Sequence, residues 1–150
     1  MQNVQKIIVS VDFYTHTPKL VKFAIDVANK LGGKLIFVHV MEEILPFFDD
    51  NPESYKQLDK KIFHSLEEKM ENLLKNSRLI YPECEGVILK GDITDSIVAY
   101  AEENQIDLII MGTHGGKGIE KILLGSVAER VLKRASCPVL MYNPYKGKIQ

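Results

Sequence analysis

Residues 107–142 read DLIIMGTHGGKGIEKILLGSVAERVLKRASCPVLMY, and this stretch decides the fold. Residues 107–111 (DLIIM) and 138–142 (PVLMY) are apolar runs of strand length, while residues 126–135 carry Val127, Val131 and Leu132 at helical spacing. A strand, a helix and a strand in that order imply a crossover long enough to bring the chain back to the same end of the sheet. The two strands then pair in parallel, with right-handed sense.

The same alternation extends toward the N-terminus. Residues 6–12 (KIIVSVD) and 34–40 (KLIFVHV) read as buried strands, and residues 86–91 (GVILKG) give another short one. Thr17 is the expected N-cap of a helix with Pro18 at its first position. Leu20, Val21, Ala24, Ile25, Val27, Ala28 and Leu31 then recur at helical spacing up to Gly32-Gly33. From Asn51-Pro52 onward, Tyr55, Leu58, Ile62, Leu66, Met70, Leu73 and Leu74 share one face of a long amphipathic helix whose charged face reads as solvated surface. Residues 92–104 form a further helix with Ile93, Ile97, Val98 and Ala101 inward. The expected fold class is α/β, a doubly wound five-stranded parallel sheet between four helices. In such sheets ligands bind beyond the carboxyl ends of the strands where strand order reverses, which directs attention to Asp12, Val40 and residues 111–126.

Composition narrows the class. At 150 residues, 45% hydrophobic and 26% charged, the chain is expected to be a single domain spanning residues 1–150. Its formal net charge of -1 fits neither a globally basic nucleic-acid binder nor an acidic tail. No apolar run approaches the roughly 20 residues of a membrane span, and Asp12 directly follows the short apolar run of the N-terminal segment. Cys84 and Cys137 show no metal-ligand spacing, so the expectation is a reduced, cytoplasmic protein without membrane association.

The segment that carries chemistry is MGTHGGKGIEKILLGSV, residues 111–127. Gly112, Gly115, Gly116 and Gly118 follow a strand directly, and Gly125-Ser126 opens the next helix. Such glycines let backbone N–H groups approach an anion, and the helix start at Gly125, Ser126 and Val127 attracts phosphate. The plainer alternative is a tight turn with Ser126 as a cap. Gly116-Lys117 is followed by Gly118 rather than Ser or Thr, which excludes a P-loop, and no G-x-G-x-x-G is present.

The segment does match G-x2-G-x9-G-[ST], as Gly112, Gly115, Gly125 and Ser126. Together with KIIVSVD, LIFVHV, Gly91 before Ile97, DLIIMGTHG, LLGSVAERVL and CPVLMY, it makes the chain resemble the universal stress protein family in its ATP-binding branch. The resemblance implies a Rossmann-like sheet of the adenine nucleotide alpha hydrolase-like type, in strand order 3-2-1-4-5. It also implies an adenine nucleotide, ATP or AMP/ADP, lying across the sheet's switch point. By that resemblance Asp12 lies near ribose and phosphate or holds Mg2+ or Mn2+ through water, and main-chain atoms of Val40 read the adenine edge. Val11 and Met111 flank the nucleoside, while Gly112, Thr113, His114, Gly115, Gly125, Ser126 and Val127 make up the rest of the nucleotide site. Two departures stand out: Phe13 and Tyr14 follow Asp12 where the family often has small residues, and His114 stands where it commonly has Arg, with Lys117 and Lys121 available to compensate.

His39, inside a buried strand, reads as a hydrogen-bonded structural histidine, and His16 and His64 have no catalytic neighbour in sequence. Cys137 reads as a small apolar packing residue. The strand at 138–142 is an expected edge strand, suited to pairing with a second copy, and the family it resembles dimerises in a similar way. Ile44, Leu45, Phe47 and Phe48 either cap the core or form a patch for an unknown protein partner. The expected function is that of a dimeric, nucleotide-dependent stress-response sensor or regulatory module, with binding rather than turnover at its centre and no assigned catalytic residue. A slow ATP hydrolase and a nucleotide-independent interaction module are the alternatives.

Overall fold

The computed structural model describes residues 3–43, 51–113 and 124–145. Among them, β1 (Lys6–Ser10), β2 (Lys34–Met41), β3 (Cys84–Lys90), β4 (Leu108–Gly112) and β5 (Val139–Tyr142) form one parallel sheet in the order β3-β2-β1-β4-β5. The crossovers contain α1 (Thr17–Leu31), α2 (Pro52–Arg78), α3 (Ile93–Glu103) and α4 (Ser126–Arg134). This is the doubly wound arrangement expected, and its order reverses between β1 and β4.

The uninterrupted apolar runs follow from burial on both faces. Along β1, β2 and β4, Ile7, Val9, Leu35, Phe37, Leu108 and Ile110 turn toward one core, built with Leu20, Ala24 and Ile25 of α1 and Met70 of α2. Ile8, Ile36, Val38, Ile109 and Met111 turn to the other face, against Ile97 and Ala101 of α3 and Ala128 and Val131 of α4. The period-2 alternation of strand side chains thus separates two cores. Burying a side chain as large as Phe37 completely contributes about 1.5–3 kcal/mol.

Several boundaries differ from the sequence expectation. β1 stops at Ser10 rather than at Asp12, because the Val11 carbonyl and the Asp12 carboxylate are engaged outside the ladder, as described below. The cap of α1 is His16 and not Thr17, which is the first helical residue. The Thr17 hydroxyl instead donates to Asp12 Oδ1 at 3.2 Å. α2 runs on past Leu74 to Arg78, whose guanidinium donates to the Cys84 carbonyl through Nε at 3.1 Å and Nη2 at 2.9 Å. β3 begins at Cys84, two residues before Gly86, so Gly86 lies inside the strand. A Cβ there would come within 2.6 Å of Met70 Sδ, and its absence lets α2 settle onto β3.

Candidate functional site

Beyond the carboxyl end of β1 the chain leaves the sheet. Val11 N–H still donates to the Val38 carbonyl at 2.9 Å, but the Val11 carbonyl accepts from His39 Nδ1 at 2.7 Å. Because a carbonyl only accepts, Nδ1 carries the proton. Asp12 Oδ1 accepts from Tyr14 N–H at 2.9 Å as well as from Thr17, closing a turn that leads into α1. Phe13 makes that turn at φ 62, a conformation costly for a bulky side chain, and its ring lies 4.8 Å from that of His39.

On the other side of the switch point, Thr113 follows β4. Its N–H donates to the Tyr142 carbonyl at 2.9 Å, and its carbonyl accepts from Gly125 N–H at 2.7 Å. A Cβ on Gly125 would lie 3.1 Å from that carbonyl, tighter than an ordinary contact, so glycine eases the close approach even though its φ is an ordinary -61. Gly125 is the N-cap of α4, and the helix has no side-chain cap. The Gly125 amide is spent within the protein, whereas Ser126, Val127 and Ala128 are the helix-start amides without an intrahelical partner.

A cavity of about 340 Å³ opens between these two turns. Of the residues singled out from the sequence, Val11, Asp12, Val40, Met111, Gly112, Thr113, Gly125, Ser126 and Val127 all line it. His114 and Gly115 lie outside the described residues, as do Lys117, Lys121 and Ile44, Leu45, Phe47 and Phe48. The walls also include residues the sequence reading did not select, among them Ser10, His16, His39, Ile93, Tyr142 and Pro144. His39 is hydrogen-bonded, as expected of a structural histidine, yet also faces the cavity. His16 Nε2 lies 3.1 Å from Tyr145 Oη, which joins the start of α1 to the segment after β5. Ser10 was within reach of sequence reasoning, two residues before Asp12. Nothing local marks Tyr142 or Pro144.

The cavity pairs apolar walls with backbone polar groups. Alternation along β2 is set by Lys34 N–H donating to Gln5 O on the β1 side and Leu35 N–H donating to Glu83 O on the β3 side. Val40 N–H and C=O therefore point toward β1, where the ladder has already ended. Neither is paired among the described residues, although Val40 is only 7% exposed. Asp12 is the one carboxylate in the described lining, and its Oδ2 accepts no hydrogen bond from the described residues. No group of three or more His, Cys, Asp or Glu able to hold a metal occurs among the described residues. The two cysteines are free and outside the cavity, and burial pushes both thiols up, away from thiolate.

The universal stress protein family model matches residues 3–143. Universal stress protein MJ0531 of Methanocaldococcus jannaschii is 35% identical over 147 residues, which span 95% of this chain and 84% of the relative. The solved structure of MJ0577, a hypothetical protein of the same organism given a structure-based assignment of biochemical function, has a TM-score of 0.82 at 30% identity, covering 94% of this chain and 96% of its own. The universal stress protein from Archaeoglobus fulgidus, solved in complex with dAMP, shares the fold with a TM-score of 0.66 at 23% identity, covering 93% of this chain and 98% of its own. With a family model matched over nearly its full length and a relative 35% identical across 95% of it, the chain belongs to the universal stress protein family.

Proposed function

We propose that this stress protein binds an adenine nucleotide in the cavity at the β1/β4 switch point and acts as a nucleotide-dependent regulatory module. The observation that carries the reading is that backbone polar groups without partners among the described residues converge on one cavity from separate parts of the chain. Buried backbone N–H and C=O groups are almost always paired, so an open donor and acceptor on Val40 call for a ligand presenting the complement. Adenine does so, with a ring nitrogen acceptor beside its amino donor. The amides of Ser126, Val127 and Ala128 and the positive end of α4 suit a phosphate. The similar fold from Archaeoglobus fulgidus is a complex with dAMP, which supports the same class of ligand here.

In this reading Val11 and Met111 flank the nucleoside, Gly112 and Thr113 border it, and His114 and Gly115 contribute from outside the described residues. The nucleotide is ATP, or AMP or ADP at the same site. Among the described residues a single carboxylate with one uncommitted oxygen does not make a protein-held metal site, so Mg2+ or Mn2+ would arrive on the phosphates, with Asp12 holding it through water. The module acts in the cytoplasm as a homodimer through the outer edge of β5, and Tyr142, on that strand, also lines the cavity. Bound nucleotide and dimer are thereby neighbours.

The test is direct. The protein as purified is denatured, released nucleotide is identified by mass spectrometry, and the stripped protein is titrated with ATP and Mg2+ in a calorimeter. A co-purifying adenine nucleotide or an affinity in the range of about 1–100 μM is expected. No nucleotide and no heat from a folded protein would discard the reading in favour of a nucleotide-independent interaction module.

A further inference from the structure

We infer that His39 is a positioning residue that keeps the Val40 backbone pair open for the nucleobase by occupying the carbonyl Val40 would otherwise bind. The inference rests on the nucleotide-binding reading and adds to it the element that sets base selectivity. In the parallel ladder between β1 and β2, Ser10 is in register with Val38, and Val11 N–H donates to the Val38 carbonyl at 2.9 Å. The next rung of a regular ladder is Val40 N–H to the Val11 carbonyl. That rung is missing. Its acceptor is engaged at 2.7 Å by His39 Nδ1, from the side chain of the residue adjacent to Val40.

A strand side chain stands roughly perpendicular to its sheet, whereas a ladder bond lies in the plane. A bond from the His39 ring therefore turns the Val11 peptide away from Val40 and ends the pairing one rung early. Phe13 holds the displaced turn, with its ring 4.8 Å from the imidazole. The consequence is chemical. Val40 N–H and C=O become a donor and acceptor side by side on a cavity wall, and adenine offers the complement on either edge that carries its amino group. Hypoxanthine replaces that amino donor with a carbonyl, so the Val40 carbonyl meets an acceptor and discriminates against it.

Three variants separate this role from simple packing. His39→Asn keeps an N–H donor near the position of Nδ1, His39→Gln moves it to the distance of Nε2, and His39→Leu removes it. Hydrogen exchange at the Val40 amide, read by NMR without nucleotide, reports the missing rung. Calorimetry with AMP and with IMP reports the base.

In the wild-type protein and the Asn variant, the Val40 amide should exchange quickly and AMP should bind about tenfold or more tighter than IMP. In the Leu and Gln variants the amide should become protected, AMP affinity should fall about tenfold, and the AMP preference should shrink toward unity. Unchanged Val40 exchange in folded Leu and Gln variants overturns the inference, and so does protection without loss of AMP affinity. If Leu prevents folding, the Gln variant carries the comparison. Should the wild-type protein bind no AMP, the nucleotide reading fails, while the exchange measurement still decides whether His39 blocks the rung.

Discussion

Asp12 shows how one side chain serves two roles that substitution can separate. Its Oδ1 closes the turn into α1 through Tyr14 N–H and the Thr17 hydroxyl, and Oδ2 remains uncommitted among the described residues. Asp12→Ala should cost about 1 kcal/mol by chemical denaturation, as a lost cap does. Asp12→Asn retains an oxygen for the turn and should cost less than about 0.5 kcal/mol. Both should weaken ATP binding in Mg2+ more than in EDTA. An Asn variant with wild-type metal dependence would reduce Asp12 to a turn residue. The identity of this residue as a candidate was legible from its position behind an apolar strand. The division of labour between its oxygens was not, because it depends on where Tyr14 and Thr17 fold back.

At the scale of elements, α2 shows what amphipathic spacing does and does not reveal. Its apolar face was readable, yet only Met70 and Ser77 of its 27 residues are buried, and the rest of that face is half-covered or exposed. Its ion pairs, such as Lys56 with Glu53 at 4.0 Å, lie in solvent and contribute little. The docking of α2 therefore depends on the contact over Gly86. Gly86→Val would force side-chain atoms into space held by Met70 and Leu74, and should destabilise the fold by about 1–3 kcal/mol. Adding Met70→Ala should restore part of that loss, so the two changes should be non-additive in a double-mutant cycle. Simple additivity would mean that the glycine matters for strand geometry and not for helix approach. In sequence the same glycine looked like the start of a strand, since glycine is a common breaker and its close neighbour in space lies sixteen positions earlier.

For the whole molecule, the edge at β5 is where the proposed dimer can be tested. Thr113 N–H donates to the Tyr142 carbonyl and Ile109 N–H to the Pro138 carbonyl, so the even-numbered residues of this segment face β4. By alternation, Val139 and Met141 direct their N–H and C=O outward. Proline is tolerated where the missing N–H faces away from the ladder. Met141→Pro should therefore yield a monomer by light scattering with an unchanged circular dichroism spectrum. Leu140→Pro, on the inward side, should unfold the edge. A dimer that survives Met141→Pro would move the interface elsewhere. The Leu140 side chain packs against the α1–α2 core, so a substitution there tests packing as well as the edge.

The sequence by itself determined the order of elements, the parallel sheet and the glycine-bearing switch point. Those features rest on local signals: apolar runs where strands are buried on both faces, helical spacing between them, and crossovers too long for hairpins. Only the tertiary structure decided where β1 ends, which amide Gly125 withholds, and that His39, Tyr142 and Pro144 share a cavity with Asp12. Each of these depends on a bond or contact between residues far apart in the chain. The Val11 carbonyl goes to a side chain twenty-eight positions later, and no periodicity in either segment encodes that exchange.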